Sequence, residues 1–322
     1  MRIPHLPIVD VHRIRDISDT RTALIVTAPL AWHAVADQLH GISRAHHIWC
    51  SDATIVAWDE AIASLPHHEF AVVYAVGGGL AVDTAKYIAC RLTIPLVCIP
   101  TALSVDAFLT PASGIRRDGC VYYIPTKAPD TLVLDLHVIA QAPAPIRAAG
   151  ITDVLSIATG AWDWQFAHFE GKNPASMPFI PWAYDMAQHI LRTSIECAAA
   201  AGRGDPAALK ELFDMLALEV QLCHQLGHSR PEEGSEHYFA YAVESIVGHG
   251  MAHGELVGPG ILHMATRQGQ HVAPLYDALV ACHIPLHRLT QHAIDATMAL
   301  LPNYCITHTL PFGIAHLPMI TA

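Results

Sequence analysis

The segment AVVYAVGGGLAVDTAK, residues 71–86, constrains the fold more than any other part of the chain. Residues 70–76 are mostly β-branched, aromatic or small and apolar, which is typical of a buried parallel strand. The glycines that follow allow the backbone to turn sharply and to approach a ligand closely, because they have no Cβ. A helical pattern begins directly after them. The segment therefore predicts a strand, a glycine turn and a helix N-terminus, which together can bind a phosphate or pyrophosphate.

A second interpretation of this segment is a tight strand-to-helix turn that binds no ligand. The spacing of its glycines is not GxGxxG, so the ordinary dinucleotide fingerprint is absent. Both interpretations stay open at this point.

The composition argues against several classes of protein. The 322 residues are enough for two domains, and 52% of them are hydrophobic while only 15% are charged. The net charge of −11, with 18 Lys and Arg, argues against a nucleic-acid surface. Eight scattered cysteines without a CxxC pair suit a reducing compartment. The N-terminus lacks the apolar core of a signal peptide, and no apolar run reaches the roughly 18 residues of a membrane span. We therefore expect a cytoplasmic protein without a membrane span.

Strands and helices alternate in the first part of the chain, which predicts a doubly wound parallel sheet. Asp118-Gly119 marks a β-hairpin within it. The predicted strands are Ala23–Thr27, His47–Cys50, residues 70–76, Pro95–Ile99 and Thr131–Leu134, with a helix over Ala31–Leu39.

Beyond residues 141–150 only helical periodicity remains. The clearest helix begins after Asp205, a good N-cap that is followed by Pro206, and it can end at Gly227. We therefore predict an α/β Rossmann-like parallel-sheet domain over residues 1–142 and an all-α domain over residues 143–322.

Asp52 follows the second predicted strand. An acidic residue there can accept hydrogen bonds from a ribose 2′-hydroxyl and would repel the 2′-phosphate of NADP. The alternative is a solvated loop aspartate, which the sequence alone favours.

Candidate metal ligands lie at three places in the second half. Asp153 lies in the first turn of an apolar helix, and His237 lies in the segment GSEH at the start of another. His249 and His253 are four residues apart and would share one helix face. One carboxylate and two imidazoles suit a catalytic zinc site, and the pair His249 and His253 is an alternative ligand set.

Five motifs occur in order along the chain: GGGxxxDxAK, PTxxSxDAFxTPxSG, AGxxDxLSxxTxxxDW, GSEH and HGExVGxG. They resemble those of the metal-dependent polyol dehydrogenases, a superfamily with a dehydroquinate synthase-like fold. It includes sn-glycerol-1-phosphate dehydrogenases, glycerol dehydrogenases and iron-containing alcohol dehydrogenases. The resemblance implies hydride transfer between NAD(P), with NAD preferred, and a small polyol or polyol phosphate. The leading expectation is reduction of dihydroxyacetone phosphate. The resemblance also implies one divalent metal ion, with Zn²⁺ expected and Fe²⁺ or Ni²⁺ as alternatives.

The resemblance also assigns roles residue by residue. His249 is near the metal site but is not a ligand in this assignment. Asp52 matches the position associated with preference for NAD. Asp106 matches the residue that contacts substrate hydroxyls, and with the metal ligands it forms the expected catalytic set. The other matches are the cofactor residues Gly77, Gly78, Gly79, Asp83, Lys86, Thr101 and Ser104, and the metal ligands Asp153, His237 and His253.

Some features depart from the glycerol-1-phosphate enzymes. The stretch Ser104-Val105-Asp106-Ala107 is closer to the STDA of glycerol dehydrogenases than to SHDG, and basic residues for a phosphate are few. Two further hypotheses are a dehydroquinate synthase-like cyclase and a non-catalytic binding protein. We expect a small-molecule substrate and a homo-oligomeric assembly.

Overall fold

The structure is a computed structural model that describes residues 5–66 and 69–318. Its first half is built on a six-stranded parallel sheet. The strands of this sheet are β1 (Ile8–Asp10), β2 (Asp19–Thr27), β3 (Ile42–Trp49), β4 (Val72–Gly77), β5 (Leu96–Pro100) and β8 (Thr131–Val133). They lie in the order β1-β8-β5-β4-β2-β3. The helices of this half are α1 (Pro29–Val35), α2 (Ile55–Ala63) and α3 (Gly79–Leu92).

The strand order reverses between β2 and β4. From β2 the chain passes to the edge strand β3 and then returns to β4 on the other side of β2. Every residue of β4 is buried, as expected for a strand covered on both faces. In such sheets, ligands bind outside the carboxyl ends of the strands where the order reverses. The glycine turn follows β4 at this point.

A hairpin of β6 (Ala112–Arg117) and β7 (Cys120–Pro125) stands apart from the main sheet. Its turn residues, Asp118 and Gly119, both have positive φ, 53° and 82°. Two-residue hairpins of type I′ require this conformation at both turn positions. The predicted hairpin is therefore confirmed. The strand β1 was not predicted, because three residues are too few to show a periodic pattern.

The second half, in the described residues after β8, consists of helices joined by loops and includes no strand. Its helices are α4 (Leu136–Ala140), α5 (Ala144–Arg147), α6 (Ile151–Leu155), α7 (Ile157–Phe169), α8 (Pro181–Gly202), α9 (Pro206–Leu226), α10 (Ser235–Val247), α11 (His253–Arg267), α12 (Ala273–Ala281) and α13 (Gln291–Thr307). The predicted N-cap and C-cap of α9 are confirmed: Asp205 Oδ1 accepts from the N–H groups of Ala207 and Ala208, and Gly227 has φ of 76°.

The predicted apolar helix after Gly150 is interrupted. It ends at Leu155, and α7 starts again at Ile157. The hydroxyl of Ser156 donates to the carbonyl of Thr152 at 2.7 Å. Such a back-bond from a serine to the preceding turn often bends helices. One predicted helix is two in the structure, although the same kind of back-bond from Ser194 to Ile190 leaves α8 uninterrupted.

The two halves share one hydrophobic core, which runs from the sheet through α3 into α9, α10 and α11. This agrees with an α/β half followed by an all-α half. The boundary between residues 142 and 143 stays a prediction, and the ends of the two proposed domains, residues 1–4 and 319–322, lie outside the described residues. Across the described chain, no helix combines the length and apolarity that a membrane crossing needs.

Candidate active site

A cleft of about 620 Å³ lies between the carboxyl end of the sheet and the helical half. Its volume is within the usual range for small-molecule sites. Its lining includes Ser51, Asp52, Gly79, Leu80, Asp83, Ser104, Val105, Asp106, Arg116, Tyr123, Asp153, Tyr241, Glu244, Met251, His253 and Glu255.

Gly79, the last glycine of the turn, lines this cleft, whereas Gly77 and Gly78 precede it in the chain and are not among the lining residues. Gly77 has φ of 148°, a conformation that favours glycine. A Cβ on Gly78 would lie 3.2 Å from Ser104 Oγ, and one on Gly79 would lie 3.2 Å from Val105 Cγ2. The N-cap of α3 makes no side-chain hydrogen bond within the described structure, so its first N–H groups are available to an anion. The turn therefore offers N–H groups to an anion, and binding of the dinucleotide phosphates there stays a prediction.

Asp52 lies in the cleft beyond the carboxyl end of β3, and its side chain is exposed. Its backbone carbonyl accepts a hydrogen bond of 3.0 Å from Trp58 Nε1, which fixes the loop. This is the end of the second strand of the nucleotide-binding unit, where a ribose hydroxyl is expected.

Lys86 lies behind the cleft. Its side chain is 0% exposed, and Nζ donates to the carbonyls of Ala107 and Ala112 and lies 2.9 Å from Asp83 Oδ1. Burial raises the pKa of Asp83, although the charge and hydrogen bond of Lys86 act against this rise. The lysine thus ties α3 to the loop that carries Asp106.

Thr101 is also not among the residues that line the cleft. It is partly buried, and its N–H donates to the carbonyl of Gly77 at 3.2 Å. Ser104, its predicted partner at the nicotinamide end, lines the cleft.

The chemically active groups converge at Asp153. Its Oδ2 accepts a 2.8 Å hydrogen bond from the N–H of Asp106, and its Oδ1 lies 2.9 Å from His253 Nε2. Oδ1 is buried, and because its 2.9 Å contact with His253 Nε2 lacks hydrogen-bond geometry, it accepts no hydrogen bond from the described residues. Burial, followed by the charge of Asp153, raises the pKa of Asp106 to about 7.

His237 completes this group from α10. The centroid of its ring lies 5.3 Å from that of His253, and its Nδ1 lies 3.0 Å from Glu236 Oε1. Burial lowers the pKa of His237, but the hydrogen bond and charge of Glu236 outweigh it and raise this pKa to about 9.

Close packing of α11 on α10 brings the two histidines together. A Cβ on Gly260 would lie only 2.6 Å from the carbonyl oxygen of Glu236, so this contact requires a glycine in α11. Asp153, the third member of the group, lies in the first turn of α6.

The donor atoms of Asp153, His237 and His253 are of the types that bind a divalent cation. One buried carboxylate oxygen without a hydrogen bond and two imidazoles are common zinc ligands. As the side chains stand, no group of three or more His, Cys, Asp or Glu in the described chain could hold a metal ion. Asp153 Oδ1 and His253 Nε2 are closer together than two ligands of one tetrahedral zinc ion normally are. The three-ligand site therefore stays a prediction.

His249 is placed apart from this group. The helix α10 ends at Val247, and Gly248 adopts φ of 69°, so the helix face that His249 and His253 would share does not form. His249 is exposed, and its Nδ1 lies 3.3 Å from the carbonyl of Gly250.

Three residues that the sequence did not single out belong to the site. Glu236 contacts His237, and Arg116 of the hairpin pairs with Glu244 of α10 in the cleft. Glu244 Oε2 also accepts from the N–H of Val121 at 2.8 Å. Glu236 had one signal in the sequence, its place beside His237 in GSEH. The pair of Arg116 and Glu244 had no signal in the sequence, because these residues are 128 positions apart.

Comparison with known proteins adds independent information. A family model described as iron-containing alcohol dehydrogenase matches residues 13–143. A glycerol-1-phosphate dehydrogenase [NAD(P)+] of Aeropyrum pernix is 32% identical over 225 residues, which are 68% of this chain and 61% of that protein. The chain thus aligns with less than two thirds of this relative's length. The corresponding protein of Sulfurisphaera tokodaii is 29% identical over 81% of this chain and 75% of its own.

The fold is also similar to that of solved structures. That of a probable glycerol dehydrogenase from Sinorhizobium meliloti has a TM-score of 0.70 at 19% identity, and the match covers 100% of this chain and 94% of that one. At this identity the similarity concerns the fold alone.

Lys86→Met tests whether this lysine is structural. The substitution leaves Asp83 and three backbone carbonyls without their buried cation, and we expect a loss of about 3–5 kcal/mol in the free energy of unfolding. Lys210→Met is the control, because Lys210 and Asp214 form an exposed pair expected to contribute less than about 1 kcal/mol.

Denaturant unfolding of both variants measures the difference. If Lys86→Met kept its stability and lost only cofactor affinity, Lys86 would instead act on the cofactor.

Proposed function

We propose that this chain, which belongs to the superfamily of metal-dependent polyol dehydrogenases and iron-containing alcohol dehydrogenases, is an NAD(P)-dependent oxidoreductase of a small polyol or polyol phosphate. The first candidate is a glycerol-1-phosphate dehydrogenase, the name that both archaeal relatives carry. The observation behind this proposal is one cleft lined by Gly79 of the glycine turn, Asp106, Asp153 and His253, with the ring of His237 5.3 Å from that of His253.

The proposed metal ligands are Asp153, His237 and His253. A divalent ion bound there would supply positive charge that lowers the pKa of a substrate hydroxyl or polarises a carbonyl. The ion expected is Zn²⁺, with Fe²⁺ or Ni²⁺ as alternatives. A cytoplasmic location and a homo-oligomeric assembly are further parts of the proposal.

The remaining residues bind and orient the reactants. The glycine turn and the first turn of α3 hold the cofactor phosphates, and Ser104 lies toward the nicotinamide. Asp106 accepts hydrogen bonds from substrate hydroxyls, with its backbone N–H anchored on Asp153. Because the cleft lies between the halves of the chain, both reactants are held against each other and away from bulk water.

Substitution of the ligands tests the metal site. We expect Asp153→Asn, His237→Ala and His253→Ala each to lose the bound metal and turnover, because a divalent site with two ligands is much weaker. NADH binding should persist, because the glycine turn belongs to the α/β half of the chain. His249→Ala is the control, since the exposed His249 should not affect metal content. Metal analysis and NADH fluorescence titration measure both properties.

The assignment fails if His253→Ala retains full metal occupancy. It also fails if His249→Ala alone loses the metal.

A specific observation favours a second candidate, an enzyme of unphosphorylated polyols such as glycerol. Arg116 is the only Lys or Arg among the described residues that line the cleft, and Glu244 already neutralises it. A substrate phosphate normally needs a free cation or helix-end N–H groups.

A substrate panel separates the candidates. Glycerol-1-phosphate and dihydroxyacetone phosphate are compared with glycerol and dihydroxyacetone, with NAD(H) and NADP(H). For the first candidate we expect the phosphorylated pair to react faster and Arg116→Gln to raise KM for dihydroxyacetone phosphate about 10- to 100-fold, because a hydrogen bond to charge is lost. KM for dihydroxyacetone should stay within about twofold.

Faster turnover of the unphosphorylated pair would support the second candidate. Release of inorganic phosphate without net NADH formation would instead indicate a cyclase, and turnover of no substrate would indicate a binding protein.

Asp52 is proposed to favour NAD(H) over NADP(H), because its carboxylate would repel a ribose 2′-phosphate. Asp52→Gly should therefore lower KM for NADP(H) while that for NAD(H) changes little or rises. Asp59→Ala is the control, since it removes a carboxylate from the surface of α2 outside the cleft lining. Equal use of both cofactors by the unmodified chain would contradict the role of Asp52.

A further inference from the structure

We propose that Glu236 is a positioning residue that fixes the ring of His237 and the nitrogen it presents to a metal ion. The inference rests on the proposed metal site and adds to it a residue that is not itself a ligand.

Three groups contact the carboxylate of Glu236. It is fully buried, and its Oε2 accepts a 2.6 Å hydrogen bond from Thr159 Oγ1 on α7. Its Oε1 accepts from the N–H of Gly234 at 2.6 Å and lies 3.0 Å from His237 Nδ1. With both oxygens engaged, the carboxylate cannot rotate without breaking a buried hydrogen bond.

This arrangement selects one tautomer of His237. A carboxylate can only accept, so the ring nitrogen beside it carries the proton. Nδ1–H therefore faces Glu236, which leaves Nε2 as the nitrogen that can bind a metal ion once it has released its own proton. The negative charge also makes the ring a stronger donor. The same carboxylate thus sets the ring's orientation, its tautomer and its basicity.

A purely structural role is the competing explanation. The bond from Gly234 to Glu236 satisfies an N–H at the start of α10, and such caps stabilise helices. A cap needs only this one contact, however, and would not affect how tightly a metal binds. Metal affinity therefore distinguishes the two roles.

Glu233 provides a matched control. It carries the same charge three residues earlier, and its oxygens accept from Tyr241 Oη at 2.7 Å and Ser229 Oγ at 2.6 Å. Its removal tests the effect of charge near His237 without removing the hydrogen bond to the ring.

The experiment measures Zn²⁺ affinity by competition with a chromophoric chelator on the full chain, for the parental protein, Glu236→Ala, Glu236→Gln and Glu233→Gln. We expect Glu236→Ala to weaken binding about 10- to 100-fold. Glu236→Gln keeps the shape and an accepting oxygen but loses the charge, so its loss should be smaller, about tenfold. Glu233→Gln should remain within about threefold of the parental protein.

Two further measurements identify failures of folding. NADH binding and the melting temperature of the metal-free protein should be near parental values for Glu236→Gln, so this variant carries the test if Glu236→Ala does not fold. The absorption spectrum of bound Co²⁺ should change in both Glu236 variants, because the ligand field at His237 changes.

The ways in which the test can fail are distinguishable. Parental affinity in both Glu236 variants would overturn the inference and leave the proposed function intact. An equal loss in Glu233→Gln would assign the effect to charge alone and would also overturn it. A parental protein that binds no Zn²⁺, Fe²⁺ or Ni²⁺ would overturn both the inference and the metal-dependent function.

Discussion

The contact on which the site depends most is the carboxylate of Asp153, because it joins the two halves of the chain. One oxygen accepts the N–H of Asp106 from the loop after β5, and the other faces His253 at the start of α11. Backbone hydrogen bonds reinforce this junction: the carbonyl of Leu103 accepts from the N–H of Gly150 at 2.7 Å, and the N–H of Leu103 donates to the carbonyl of Arg147 at 3.0 Å. A shift of the sheet against the helices would therefore displace the proposed substrate-binding and metal-binding groups together.

Two residues outside the proposed ligand and substrate contacts, one small and one charged and buried, help to form this arrangement. Gly260 allows α11 to approach the backbone of α10, and Lys86 holds the loop that delivers Asp106. A motif residue need not touch a ligand to matter for the site. Lys86 belongs to the motif of the glycine turn, yet it is fully buried, contacts three carbonyls and the carboxylate of Asp83, and is not among the cleft-lining residues.

Local patterns in the sequence were enough to predict most of the fold. Runs of β-branched residues marked the inner strands, Asp118-Gly119 marked the hairpin, and Asp205 and Gly227 marked the ends of α9. The missed features depend on tertiary contacts or very short elements. The strand β1 is stabilised by its partner β8, not by a pattern of its own. The pairs Arg116–Glu244 and Thr159–Glu236 join residues 128 and 77 positions apart, which spacing cannot reveal.

The charges that line the cleft affect both of its proposed properties, the binding of a divalent cation and the choice of substrate. Asp52, Asp83, Asp106, Asp153, Glu244 and Glu255 line it, and Arg116 is the only Lys or Arg that the described residues contribute to the lining. Such a cleft attracts a divalent cation and offers acceptors to the hydroxyls of a polyol. It opposes a phosphate unless that group lies at the N-terminus of α3 or displaces Glu244 from Arg116. Because the first position is the one proposed for the cofactor, the pairing of Arg116 with Glu244 would determine whether the proposed phosphorylated substrate can bind.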